Sequence, residues 1–111
     1  MKHHKKILSV LLVLLISSCG SMTRKGDPGL FHGNFQVGGS AAIVFPIYEA
    51  YEIEFQTSSE PILFFFDKKT DEGLYKYNSD DESMYFLMNE DHQGGTFYEI
   101  TEPPMQVVKE E

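Results

Sequence analysis

Tyr51-Glu52-Ile53-Glu54-Phe55 alternates apolar with acidic side chains, the period of two that puts Tyr51, Ile53 and Phe55 on one face of a β-strand and both glutamates in water. Residues 41–48 are mostly apolar and β-branched or aromatic, with Pro46 marking an edge position or a bulge. Residues 62–66 are apolar at both parities, as in a strand covered from both sides. Shorter runs follow at 74–77, 84–88, 96–100 and 105–108, separated by polar clusters at 67–73, 78–83 and 89–95. Runs this short, at nearly regular spacing, predict an all-β fold: a small antiparallel meander of about six or seven strands, closed as a barrel or sandwich. No segment supplies the long amphipathic helix that parallel strands need for their crossovers.

One stretch competes with that assignment. Ser79-Asp80-Asp81-Glu82 has the form of a helix capping box, Met84, Leu87 and Met88 share one helical face, and Gly94-Gly95 could end such a helix. Tyr85 and Phe86 favour extended backbone and the apolar run is short, so a strand is expected there. The tail after Glu102-Pro103-Pro104 is expected to pair its 105–108 piece onto the sheet, with the alternative of a loose end.

The N-terminus reads differently. Lys2, Lys5 and Lys6 precede an apolar run from Ile7 to Ile16 broken only by Ser9, and Ile16-Ser17-Ser18-Cys19 closes it. Ten helical residues rise about 15 Å, half of a bilayer core of roughly 30 Å, so the run suits a signal h-region and not a membrane span. These residues resemble a bacterial lipoprotein signal peptide with its lipobox. The resemblance implies cleavage before Cys19, a diacylglycerol thioether on its sulfur, and an acyl group such as palmitate on its new amine. At roughly 0.8 kcal/mol per buried methylene, two or three chains make a permanent membrane anchor. It also implies a place in the bacterial cell envelope. With Gly20 and not Asp after the cysteine, that place is the outer membrane facing the periplasm in a Gram-negative host. The expected organisation is a signal peptide at 1–18, a lipidated cysteine and flexible tether at 19–29, and one small β-rich domain at 30–111. The polar, turn-rich residues Ser21, Lys25, Gly26, Asp27, Pro28 and Gly29 carry the tether assignment.

Removing residues 1–18 takes away three lysines and no acidic residue, so the formal charge falls from −8 to −11. A surface this anionic argues against nucleic acid as a partner and leaves a cationic protein or another envelope protein. With its only cysteine spent on lipid, the domain has no disulfide and rests on apolar packing.

Reactive constellations are scarce along the chain. Asn89, Asp91 and Gln93 before Gly94 have the spacing of a calcium loop's first half, but Ile100 stands where its last acidic ligand belongs, so a solvated hairpin is expected. His32 and His92 lie 60 positions apart with no cysteine to help them hold zinc. Ser40 after Gly38-Gly39 is not a nucleophile elbow. No enzyme, metal or cofactor is expected.

Partner contacts are expected in the acidic loops, at Asp67, Asp71 and Glu72, at Asp80, Asp81 and Glu82, and at Glu90 and Asp91. Alternate turns of a meander share one end, which makes the first and last of these groups neighbours. Phe64, Phe65 and Phe66 are consecutive and cannot all face one way, while Tyr75, Tyr77, Tyr85, Phe97 and Tyr98 follow on later runs. A two-sided core with hydroxyls at its rim is expected, with an exposed aromatic contact surface as the alternative. The expected role is a membrane-anchored, non-enzymatic module that binds or assembles with another envelope protein. The alternative is a tethered inhibitor of a cationic cell-wall hydrolase such as lysozyme. That analogy lacks the cysteine pair and the Ser-Gly motif of the lysozyme-inhibitor type.

Overall fold

The computed structural model describes residues 24–110, so the signal-like segment 1–18 and Cys19 lie outside the described residues. Eight strands follow one another: β1 (Gly33–Val37), β2 (Ser40–Ile47), β3 (Ala50–Phe55), β4 (Ile62–Lys69), β5 (Tyr75–Ser79), β6 (Met84–Met88), β7 (Gly94–Glu99) and β8 (Glu102–Lys109). Each pairs antiparallel with the next, and β8 pairs with β1 through Phe35↔Lys109, Gln36↔Val108 and Val37↔Val107, which closes a barrel. The expected all-β meander is therefore present, with one strand more than expected. The added strand is β1, whose Gly33-Asn34-Phe35-Gln36-Val37 offers only Phe35 and Val37 as an alternating pair.

Residues 80–83 form a hairpin turn and not a helix start. The Glu82 amide donates to the Ser79 carbonyl at 2.9 Å, the Met84 amide donates to Ser79 Oγ at 3.0 Å, and the Ser83 amide and hydroxyl donate to Asp81 Oδ1 at 3.0 and 2.6 Å. The same polar side chains that could cap a helix satisfy the turn instead. Pro46 sits where β2 has outrun β1, since their last pair is Gly33↔Val44, so its missing N–H forfeits no ladder bond on that side. The 105–108 piece of the tail pairs with β7, and 107–109 pairs with β1, so β8 lies between the two.

Alternation fills the lumen. Phe35 and Val37, Ala42 and Val44, Tyr51 and Ile53, Phe64 and Phe66, Tyr77, Phe86 and Met88, Phe97 and Val107 all point inward and are buried. Neighbouring rings in this core stand 4.4 to 6.3 Å apart between centroids, from Phe31–Tyr77 to Phe55–Phe86. A small eight-stranded barrel filled by its own side chains is a packed core and not a pore. Burying each Phe contributes roughly 1.5–3 kcal/mol, which lets the domain stand without a disulfide. The outer wall carries Asn34, Gln36, Glu52, Glu54, Lys76 and Asn78. The strands run 5 to 8 residues, against about 9–11 for strands that cross a bilayer.

The turns 38–39, 56–61, 80–83 and 100–101 gather at one end of the barrel, and the turns 48–49, 70–74 and 89–93 at the other. The incoming segment 24–32 covers the second end, which makes it the plugged end and leaves the first open.

Candidate functional site

The plugged end is built around a gap in the sheet. β3 and β4 pair only through Tyr51↔Phe64, Glu52↔Leu63 and Ile53↔Ile62, so residues 65–69 of β4 have no partner on the β3 side. The segment expected as a tether up to Gly29 lies against this flank from Arg24 onward. The Arg24 guanidinium sits 4.8 Å from the Phe65 ring centroid. Gly26, at φ 91°, passes so near Phe66 that a Cβ there would meet the ring at 3.3 Å. Phe31 then enters the lumen fully buried, its ring 5.7 Å from Phe35, 5.3 Å from Tyr51, 4.4 Å from Tyr77 and 5.2 Å from Phe86.

Four polar side chains fasten this plug. The Tyr51 hydroxyl donates to Asp27 Oδ2, and the Tyr77 hydroxyl lies 3.2 Å from Asp27 Oδ1 and 2.8 Å from His92 Nε2. The Gly29 amide donates to Asp27 Oδ1 at 3.0 Å, a local Asx turn that aims the carboxylate inward. His92 Nδ1 faces the Glu90 carbonyl at 3.2 Å. A carbonyl only accepts, so in the neutral ring the proton sits on Nδ1, and the single Tyr77 hydroxyl proton faces two acceptors, Asp27 Oδ1 and His92 Nε2. Burial pushes His92 below its ordinary pKa, and burial next to Asp27 pushes both tyrosines far above theirs. All three are therefore neutral at physiological pH. Tyr51, Tyr77 and His92 are buried, and this chain of contacts holds the plug.

The open end has the opposite character. Phe55, Ile62, Met84 and Phe97 form the walls of a cavity of about 210 Å³, with Thr57, Ser58 and Glu99 at its rim. Its turns and flanking strand ends carry Glu60, Asp80, Asp81, Glu82, Glu99 and Glu102 and no Lys or Arg. Glu99 pairs with Glu102 across the β7–β8 ladder just past a register shift at 97–99, a like-charge pair that costs stability. Among the described residues the ion pair is Lys76–Asp67 at 3.9 Å, away from this end. Beside the mouth, the 56–61 turn overhangs a larger groove of about 490 Å³ lined by Ala41, Ile43, Phe55 and Pro61 with Glu54 and Glu60. From it an apolar stripe continues along the wall through Ile43, Phe45, Ile47 and, across Glu52, Leu63, which are 36%, 44%, 37% and 38% exposed.

The acidic loop residues expected to meet a partner divide between the two ends. Asp67 lies on β4 beside Lys76, Asp71 and Glu72 in the 70–74 turn, and Glu90 and Asp91 in the 89–93 turn, all toward the plugged end. Tyr75 and His92, with ring centroids 5.1 Å apart, join those two turns. Asp80, Asp81 and Glu82 stand at the open end. The hydroxyl and amide of Ser83 and the Ser79 hydroxyl bonded to Asp81 lower its pKa, so this carboxylate serves its own turn. Asp91 likewise accepts from the Gln93 amide at 3.0 Å, which accounts for the spacing that resembled a calcium loop. Tyr77 and Phe97 face the core, while Tyr85 and Tyr98 stack on the wall at 4.6 Å.

Sequence reasoning missed Asp27, His92, Glu99 and the β2 stripe. The Asp27-Pro28-Gly29 turn and the parity of Ile43, Phe45 and Ile47 against Ala42 and Val44 were the available signals. Comparison of the chain with protein-family models, curated proteins and solved structures found no match.

Proposed function

We propose that this protein is a membrane-anchored envelope lipoprotein, tethered through lipid on Cys19, whose barrel is a non-enzymatic module that binds another envelope protein. The observation that carries the reading is the exposed stripe of Ile43, Phe45, Ile47 and Leu63, which runs into the apolar groove under the 56–61 turn. Closure by β8 and β1 confines free ladder edges to local gaps such as residues 65–69 of β4, against which the segment from Arg24 lies, and this favours contact through side chains. A contiguous apolar surface rimmed by polar residues is what a protein contact requires. The filled lumen supports binding on the outside and not the carriage of a small molecule within.

Crosslinking in the native host, with the membrane fraction analysed by mass spectrometry and Cys19→Ala as control, tests both halves. A stoichiometric partner lost with the anchor supports the reading. Unchanged membrane association of Cys19→Ala removes the lipoprotein half, and no partner at any crosslinking position removes the binding half. The second reading, a tethered inhibitor of a cationic hydrolase such as lysozyme, is favoured by the charge of the open end, whose turns carry acidic residues and no Lys or Arg. Lysozyme inhibition by the chain, abolished when Asp80, Asp81 and Glu82 are neutralised, would select it.

A further inference from the structure

The protein-binding reading leaves open where a partner is gripped and by what chemistry. The strongest built feature is the mouth of the open end, and the proposal rests on that reading. Four apolar side chains from four different strands, Phe55 (β3), Ile62 (β4), Met84 (β6) and Phe97 (β7), converge there on a cavity of about 210 Å³. At the plugged end, the equivalent space is filled by Phe31 from the chain's own N-terminal segment. Ligand pockets generally run from about 300 Å³ upward, so this cavity is sized for a single side chain.

Its electrostatics specify which one. Glu99 lines the cavity, Glu102 opposes it across the ladder, and Glu60 extends from the adjoining turn. Arg24, over Phe65, shares a separate groove with Asp80 and Glu82 on the flank. Glu99 and Glu102 have no cation within ion-pair distance among the described residues. Glu99 on the cavity and the exposed Glu102 paired with it across the ladder bring two negative charges to this mouth, and like charges this close are relieved by a cation. A side chain with an aliphatic stem and a charged head meets both requirements, stem in the cup and head on the carboxylates.

We propose that the open mouth receives one lysine or arginine side chain of a cationic protein partner. Phe55, Ile62, Met84 and Phe97 hold the stem; Glu99 and Glu102 hold the charge. The β2 stripe, reached through Phe55 and Ser58, which line both the mouth and the neighbouring groove, supplies the surrounding contact area.

The test uses the full chain labelled with carbon-13 on its methionine methyl groups and titrated with an octa-arginine peptide. Met84 reports on the mouth, and Met88, wholly buried in the core, reports on the fold. The expected result is a saturable shift of the Met84 signal with Met88 unmoved. The pair E99Q/E102Q should weaken binding about tenfold or more, because both charges meet the same cation. The pair D71N/E72Q, at the plugged end, should change it by less than about twofold. An unmoved Met84 signal, or equal weakening by both pairs, overturns the proposal, the latter showing diffuse attraction to an acidic surface. Photo-crosslinkers at Ser58 and at Phe45 in cells separate this from failure of the parent reading. Capture at Ser58 that octa-arginine competes away supports the mouth. Capture at Phe45 with none at Ser58 sinks the mouth and spares the protein-binding reading, and capture at neither sinks both.

Discussion

Asp27→Ala is the most informative single change, because residue 27 falls in a stretch that composition assigns to a free tether and geometry assigns to the barrel. Its carboxylate accepts from Tyr51, lies 3.2 Å from the Tyr77 hydroxyl and accepts from the Gly29 amide. Truncation leaves Tyr51 buried without its partner, whereas Tyr77 keeps His92 at 2.8 Å. A hydrogen bond to a charged group contributes about 1.5–3 kcal/mol, and a stranded buried hydroxyl costs about 1–3 kcal/mol. Desolvation of the half-buried carboxylate, relieved by the mutation, offsets part of this. A net loss of about 2–3 kcal/mol remains, or roughly 10–20 °C in Tm for a domain of this size. The assay is urea unfolding of the full chain followed by tyrosine emission, since the chain has six tyrosines and no tryptophan. A double-mutant cycle with Tyr51→Phe isolates the contact, with an expected coupling of about 1–2 kcal/mol. A loss within about 0.5 kcal/mol, the range of an ordinary surface substitution, or strict additivity in the cycle would refute the plug.

Stability should form a plateau in pH. His92, depressed by burial among Tyr75, Tyr77, Asp27, Asp91 and Lys109, binds a proton more readily once unfolded, so stability falls as pH drops below the ordinary 6.5. Tyr51 and Tyr77, raised in the fold, stabilise below the unfolded value of 10.0, and that contribution fades as pH climbs past it. Denaturant midpoints across pH 5 to 11 check both limbs, and His92→Phe should flatten only the acid one. Gly95→Ala should destabilise by about 3 kcal/mol or prevent folding, because its Cβ would lie 2.3 Å from the Leu87 carbonyl oxygen and 2.9 Å from Met88 Cα. Thermal melts would show it, and a wild-type Tm would contradict the β6–β7 packing. Phe45→Ser, on the wall, should move Tm by only a few degrees while abolishing partner crosslinking; retained crosslinking would dismiss the stripe as a contact.

Much of this barrel is legible in one dimension because strand periodicity is local. The parity of Tyr51, Ile53 and Phe55 is enough to assign a face, and the same holds for Phe64 and Phe66 against Phe65. Polar clusters at 67–73, 78–83 and 89–95 mark turns because a buried turn would strand its backbone groups, and antiparallel connectivity then places the 70–74 and 89–93 turns at one end. β1 escaped because two apolar residues among glycines give too little alternation, and its place depends on Phe35 and Val37 finding β8 70 to 74 positions away. Closure is non-local in the same sense. His92 reads as part of a solvated hairpin until the barrel presents Tyr77 to its ring. Asp27 reads as tether until Tyr51 and Tyr77 are brought 24 and 50 residues back to meet it. What the chain determined by itself is what nearest neighbours can encode: all-β character, strand faces, turn positions, net charge and the lipobox resemblance. Tertiary structure alone decided which end is plugged, which carboxylates face one another without a cation, and which apolar side chains remain outside, because each depends on contacts between residues far apart in the chain.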